Sequence, residues 1–394
     1  MTRAFVTGIG VVSPIGIGVE DFWKSLLNKK SAFSQIEPIY KGQKDKCWAS
    51  LIPVDSLSRI KSELNEYPSS LPSSSLYALH AALQAVKDAG LTPGDAVLKN
   101  ALVCIGNNEA EADILDERVE GNLKRWNEHI YSSHSIANIV ADAVGSEGPA
   151  LTIHNTCASG NVALDMALNM IRNGLITTAI IGGADGFSKK VWSGFNILNA
   201  LGSEPCKPFS VNRRFITIGE GAAFLVIQTS MSSIEASNAY AELVASSINN
   251  DAKHPTNPDF DGVKACHSKL LEHAHISADE VDVIFAHGTG TKANDSVEAA
   301  IFSEIYKNSA VSAIKGTVGH LMAAAGCVGA IASCLALDRQ RIPPTNISPD
   351  EFEYDFKLVM NDSKEVTPIR YVQNNSFGFG GNNAITLFKT VHNL

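Results

Sequence analysis

Cys157 stands where a β-branched apolar run turns into a helical pattern, in Leu151-Thr152-Ile153-His154-Asn155-Thr156-Cys157-Ala158-Ser159-Gly160. After it Ala158, Val162, Met166 and Met170 recur at four-residue intervals, and Arg172-Asn173-Gly174 closes the pattern, as a helix with a glycine stop does. A thiol at that junction faces the positive end of a helix. That field favours thiolate and is expected to lower the pKa from about 8.5. The same backbone amides can hold an oxyanion. An isolated cysteine is more often a small buried hydrophobe. Here three later segments carry groups suited to work with it: His287-Gly288-Thr289-Gly290-Thr291, Lys315-Gly316-Thr317-Val318-Gly319-His320, and Asn375-Ser376-Phe377-Gly378-Phe379-Gly380-Gly381-Asn382. Two neutral imidazoles can each present an N–H to developing negative charge. Either histidine alone reads as a satisfied loop residue; jointly with Cys157 they read as catalysis. The remaining histidines, among them His254, His267, His273 and His275, read as surface or helix residues.

In this order and spacing the four segments resemble the β-ketoacyl-acyl-carrier-protein synthases of the Cys-His-His type, the decarboxylating condensing enzymes of fatty-acid and polyketide synthesis. The resemblance covers nearly the whole chain. It runs from Phe5-Val6-Thr7-Gly8-Ile9-Gly10-Val11-Val12-Ser13-Pro14 through Pro208-Phe209, Gly219-Glu220-Gly221 and Ile342-Pro343-Pro344-Thr345-Asn346 to the closing Phe-Gly-Phe-Gly-Gly. It implies an acyltransferase in which Cys157 takes an acyl group as a thioester. His287 and His320 would then stabilise the enolate left when malonyl-carrier loses CO2. By the same resemblance Lys315 organises the histidines, Thr289 and Thr291 contact the phosphopantetheine arm, and Phe379 is a gating aromatic whose N–H joins that of Cys157 in an oxyanion hole. Asp295 and Glu298 are expected to be structural, capping and pairing on the following helix. Substrates would arrive on acyl carrier protein, with no tightly bound cofactor and no metal. The partner subunit would be an identical chain or a related chain-length factor.

Departures from the family pattern point to a specialised pathway, for example an aryl-polyene one. Gly329, nine residues after His320, stands where a glutamate near the lysine is usual. Its loss is expected to leave Lys315 without its usual partner. Ser210, Phe215-Ile216 and Asn382 also differ, and the segment Asn107 to Ile136 is short and acidic where relatives shape the acyl tunnel. Two other readings stay open: a partner subunit that shapes the pocket without turning over, and a thiolase-like enzyme acting on coenzyme A esters. Partner subunits of that kind typically lack the cysteine; thiolases need a second one near the C-terminus.

The elements that must position these residues alternate between strand and helix, which implies parallel sheets covered by helices. Two stretches repeat helix, turn, strand and acidic helix: Leu76 to Arg118, and Val263 to Ile305. Cys157 at its junction parallels Lys315 to His320 entering the helix Ala323 to Leu337. The resemblance implies an α/β, thiolase-like fold of two duplicated halves in a layered αβαβα structure. The halves are placed at 1–233, carrying Cys157, and 234–394, carrying both histidines, with the boundary near Ser230 to Ser237. The strand Ala179 to Ala184 is the candidate for extending a sheet across a two-fold dimer.

Of the 394 residues, 45% are hydrophobic and 19% charged, the profile of a globular enzyme. No uninterrupted apolar run approaches about 18 residues, so no membrane span is expected. The N-terminus enters a strand pattern without a leader, and seven cysteines lack disulfide or zinc spacing, which points to a reducing, cytoplasmic setting. Cys327 and Cys334 read as packing residues. The net charge of −9 argues against nucleic-acid binding. Docking an acidic carrier protein then needs a local basic patch, for which Arg59 with Lys61 and Arg213 with Arg214 are the candidates.

Overall fold

The structure, a computed structural model, describes residues 2–39, 46–128, 132–229, 239–361 and 368–392. The valine-, isoleucine- and alanine-rich runs form strands: β1 (Ala4–Ser13), β2 (Gly16–Ile17), β3 (Phe33–Ile36), β4 (Cys47–Ser50), β5 (Leu102–Gly106), β6 (Ala150–Ile153), β7 (Thr178–Asp185), β8 (Ile218–Gly219), β9 (Gly221–Thr229), β10 (Ala241–Asn250), β11 (Val283–Phe285), β12 (Ala310–Ser312), β13 (Lys357–Leu358), β14 (Tyr371–Gly378) and β15 (Asn382–Lys389). Twelve of them make one sheet, ordered β13-β12-β11-β14-β15-β10-β1-β9-β7-β5-β6 with β2 attached to β1; β3, β4 and β8 make a second.

The large sheet contains the same path twice. β6-β5-β7-β9-β1 on one side matches β12-β11-β14-β15-β10 on the other. In each path the first three strands are parallel and the last two antiparallel. The two paths meet where β1 pairs with β10, Phe5 opposite Glu242 and Val6 opposite Ala241. The weak sequence repeat is therefore a repeat of topology. The segment between the halves, 230–238, where the boundary was expected, lies outside the described residues.

Two helices lie between the paths. Ser159–Arg172 packs on β5 and β7 from one half and on β10 and β15 from the other. Ala325–Arg339 packs on β14, β9 and the first helix. They touch backbone to backbone, because a Cβ on Gly160 would come within 2.9 Å of Cys327 N and one on Gly326 within 2.8 Å of Asn161 N. The outer faces are covered by Ser73–Asp88 over β1, β9 and β7, and by Phe260–Ala274 over β10 and β15. Met322–Arg339 is long and apolar enough to cross a membrane, but 83% of it is buried. Its position in the central layer accounts for that apolarity, since water meets it mainly at its end, Asp338 and Arg339. Cys327 and Cys334 are packed there, and all seven cysteines are free thiols.

One expectation is corrected. The strand at Ala179 to Ala184 lies within β7, hydrogen-bonded to β5 on one side and β9 on the other, so it has no edge to offer a partner. Its all-buried pattern is the mark of an interior strand. The sheet path ends instead at β6 and β13, and β6 exposes Leu151.

Candidate active site

Cys157 sits on a strained elbow. Thr156, immediately before it, has φ of 53°, left-handed backbone that a β-branched residue rarely adopts. The turn is closed by Ala158 N–H to the Asn155 carbonyl (3.2 Å) and Ser159 N–H to the Thr156 carbonyl (3.1 Å). The Ser159 hydroxyl donates to the same Thr156 carbonyl (2.6 Å) and accepts from Asn155 N–H (2.8 Å). The chain then enters the Ser159–Arg172 helix, as expected. The Cys157 carbonyl accepts from Ser376 Oγ at 2.6 Å, and Thr156 Oγ1 donates to the Phe379 carbonyl at 3.1 Å. These bonds seat the end of β14 against the elbow. Only glycine fits at 378: a Cβ there would lie 2.0 Å from Thr156 Oγ1 and 3.1 Å from Cys157 N. The Phe379 ring stacks on Phe195 at 5.5 Å between centroids.

His287 follows β11 and His320 follows the short Lys315–Val318 helix. Their rings are 5.5 Å apart and nearly perpendicular, at 84°. The hydrogen bonds assign both tautomers. Met322 N–H donates to His320 Nδ1 at 3.1 Å. Lys315 Nζ lies 3.3 Å from His287 Nδ1 and donates to the His287 carbonyl at 2.5 Å. With each Nδ1 an acceptor, each neutral ring carries its proton on Nε2. Burial, reinforced by the Lys315 charge, holds His320 down to about 3 and His287 well below the ordinary imidazole range.

The thiol departs from expectation. Burial pushes Cys157 up to about 12, with Lys315 pulling the other way. The helix end was expected to lower it; burial of the sulfur acts in the other direction, disfavouring the charged thiolate.

One cavity of about 80 Å³ gathers most of the expected residues. Cys157, His287, His320, Thr289, Thr291 and Phe379 all line it, with Phe195 and Asn257. Lys315 does not line it; it stands behind His287. Thr289 and Thr291 share a hydrogen bond between hydroxyls at 2.9 Å, and Thr291 also caps the Lys292–Ile305 helix by accepting from Asn294 N–H.

Lys315 is not without a carboxylate. Burial lowers its pKa and Glu298 is the main opposing charge. Glu298 is wholly buried and accepts from His287 N–H (2.8 Å), Gly288 N–H (2.7 Å) and the Asn294 (2.8 Å) and Asn375 (3.2 Å) side-chain amides. Asp295, equally buried, accepts from Phe209 N–H (2.8 Å) and Thr289 N–H (3.1 Å). These acids build the histidine loop rather than merely cap a helix. Asp185 had drawn no attention in the sequence. It accepts from Ala323 N–H (2.8 Å) beyond His320 and from Asn108 N–H (3.0 Å), joining β7 to the His320 turn. The available signal was an acid ending an otherwise apolar strand.

Each basic pair keeps one exposed member, Arg214 and Lys61. Arg213 is buried, donating to the Ser210 carbonyl and Ser296 Oγ and lying over the Tyr354 ring. Arg59 donates to the Ile17 carbonyl and pairs with Glu63. Among the other histidines, His267 is fully buried in its helix, against Phe302, Tyr306 and Phe377.

A thiol on a strand-to-helix elbow and two imidazoles lining one cavity with it, set in a twice-repeated α/β path, define a thiolase-like protein of the cysteine–histidine–histidine class. Residues 1–232 match the beta-ketoacyl synthase N-terminal domain and residues 240–347 its C-terminal domain. The chain belongs to the beta-ketoacyl synthase family. It is 30% identical to 3-oxoacyl-[acyl-carrier-protein] synthase 2 of Vibrio harveyi, with 99% of each chain covered. It is 27% identical to nodulation protein E of Rhizobium meliloti over the same shares. Among solved structures, the ishigamide ketosynthase/chain length factor superposes with a TM-score of 0.87 at 32% identity over 99% of each chain. A type II PKS ketosynthase, in complex with its acyl-carrier protein and bound to the hexaketide, superposes at 0.84 and 27% identity, over 99% of this chain and 100% of that one. The thiolase-like fold inferred from the motifs is the fold of this chain.

Proposed function

We propose that the chain is a β-ketoacyl-acyl-carrier-protein synthase, with Cys157 the nucleophile, His287 and His320 the enolate-stabilising donors and Lys315 their organiser. The observation that carries this reading is the shared cavity of Cys157 and two imidazoles whose Nδ1 atoms are already engaged. Cys157 Sγ attacks the thioester carbonyl of an acyl-pantetheine; its proton passes to the departing pantetheine sulfur, leaving the acyl group on the enzyme. Malonyl-carrier then loses CO2, and the electron pair of the broken C–C bond becomes an enolate. The two Nε2–H groups donate to its oxygen. The enolate carbon attacks the Cys157 thioester, the C–S bond breaks, and the sulfur regains a proton from solvent. Backbone N–H groups of Cys157 and Phe379 would serve the tetrahedral oxyanion. Thr289 and Thr291 would hold the pantetheine arm.

Acyl carrier protein is the implied partner, as it is of the solved type II PKS ketosynthase. A second chain, identical or a chain-length factor, would pair along β6 rather than β7. The halves 1–233 and 234–394 would contribute thiol and imidazoles respectively, in a reducing, cytoplasmic setting and a specialised, aryl-polyene-like pathway. A non-catalytic partner role is disfavoured by the retained Cys157. A thiolase role is disfavoured because Cys157 is the one cysteine lining the cavity.

Intact mass of wild type and Cys157→Ala, after acyl-carrier and then malonyl-carrier, tests the reading. The expected result is an acyl adduct on wild type alone, lost on malonyl addition as 3-ketoacyl-carrier appears. A stable adduct would point to a missing partner subunit. No adduct with any acyl length tried would overturn the nucleophile assignment.

A further inference from the structure

A second, smaller cavity of about 10 Å³ lies between Lys315, Gly329 and Asn374. Asn374 is buried in β14. Its Nδ2 donates to Asn161 Oδ1 and to the Gly326 carbonyl, both at 2.9 Å. Asn161 answers through its own Nδ2, donating to the Asn374 and Ala384 carbonyls, both at 3.0 Å. Asn161 lies one helical turn beyond Cys157, Gly326 opens the helix that follows His320, and Asn374 precedes Phe379 along one strand. Two side-chain amides therefore tie together the segments carrying the thiol, the second imidazole and the gating ring. Gly329 belongs to the same arrangement: a Cβ there would lie 2.1 Å from Asn374 Oδ1. No side chain at 329 can coexist with this amide, which accounts physically for the departure at that position. Position 329 and position 374 compete for one volume.

We propose that Asn374, seated against Gly329 and clasping Asn161, is a positioning residue for the condensation, holding the Cys157 and His320 helices in register with the strand that leads to Phe379. For the reaction concerned, this rests on the ketosynthase reading above. An amide suits the task because its NH2 reaches two elements at once. Serine reaches neither, and aspartate loses both donors while burying a charge.

The test is a double-mutant cycle of Asn374→Ser and Gly329→Ala in the full chain, read by melting temperature, by kcat and KM for malonyl-carrier, and by the rate of iodoacetamide alkylation at Cys157. In Asn374→Ser, kcat falls about tenfold or more, since sub-ångström misplacement of reacting groups is costly. KM stays within about twofold, because the cavity threonines belong to another loop. Gly329→Ala lowers kcat in the wild-type background and has no further effect beside Asn374→Ser, as expected for two residues sharing one volume. A kcat for Asn374→Ser within about twofold of wild type, a change confined to KM, or independent effects of the two substitutions overturns the proposal. If Asn374→Ser does not fold, Asn161→Ala removes the clasp from the other side with the same expectation. Failure of both to fold assigns the network to stability alone and overturns it too. If wild type condenses no malonyl-carrier, the ketosynthase reading fails separately. Alkylation of Cys157 then decides: a rate altered in Asn374→Ser supports the clasp, and an unaltered rate sinks it.

Discussion

His287 and His320 are donors of fixed tautomer, not proton carriers, and their surroundings make that testable. Burial is the first cause of their low pKa values and the Lys315 charge the second. With His320 held to about 3 and His287 well below the ordinary range, the imidazoles themselves are expected to put no limb into the pH dependence of CO2 release between about pH 5 and 7. Lys315→Met removes the group facing His287 Nδ1 and one of the charges holding both rings neutral. Two consequences follow. The rate drops by about 10² or more as one donor loses its orientation. An acid limb also moves to higher pH, because an imidazole relieved of a neighbouring cation protonates more readily. A pH–rate profile of CO2 release for both proteins checks this; parallel profiles differing only in height would show that Lys315 does not act through the rings.

At the scale of elements, the site depends on the end of β14 lying against the Cys157 elbow. The contact is so close that Gly378→Ala would place a methyl 2.0 Å from Thr156 Oγ1. Thr156 is already in strained backbone, so the segment bearing Phe379 must move. The expectation is a fall of about tenfold or more in acylation of Cys157, with only a modest fall in melting temperature. Gly378→Ala combined with Thr156→Ala should recover part of the acylation rate, which intact-mass time courses can follow. The sequence made the elbow, both histidines, the lysine and the gating phenylalanine legible, because each sits in a contiguous motif whose residue types carry its chemistry. It did not show what braces them. Asn161 and Asn374 are 213 residues apart, and nothing in either neighbourhood marks a buried amide that needs a partner. Glu298 read as a helix acid because charge pattern does not reveal burial. The β7 misreading has the same origin: alternation and apolarity identify a strand, but its neighbours in the sheet are set by topology. Arg213 shows the converse, a cation in a polar stretch that folds inward over Tyr354.

Across the whole molecule, the fold buries many acids and thiols in their neutral forms, and this sets the pH dependence of stability. Burial pushes Asp295 up to about 6, Asp185 to about 7 and Glu111 to about 8. It raises Cys104, Cys157, Cys206, Cys266, Cys327 and Cys334 as well. In the unfolded chain the carboxyls ionise near about 4 and the thiols near about 8.5. Above about pH 7.5, where unfolded imidazoles have lost their protons, the folded state therefore binds more protons than the unfolded state, and stability falls as pH rises. Each group that is neutral only when folded contributes about 1.4 kcal/mol per pH unit until its folded pKa is passed. Asp185 and Glu111 supply a shallow loss up to pH about 8, and the thiols a steeper one above about 8.5. Lys315, lowered by burial, works in the opposite direction as a single group against six thiols. The buried histidines, lowered by burial, act in the opposite sense near pH 6.5, where an unfolded imidazole is still half protonated, and contribute little above about pH 7.5. Thermal melts from about pH 7.5 to 9.5 should show a gentle decline and then a steep one. Glu111→Gln keeps the side-chain shape while removing the ionisable group, so it should flatten the curve below pH 8 and leave the alkaline decline unchanged. A melting temperature constant across the range would mean that these groups meet water in solution, and the layered packing that buries them would have to be looser than the structure has it.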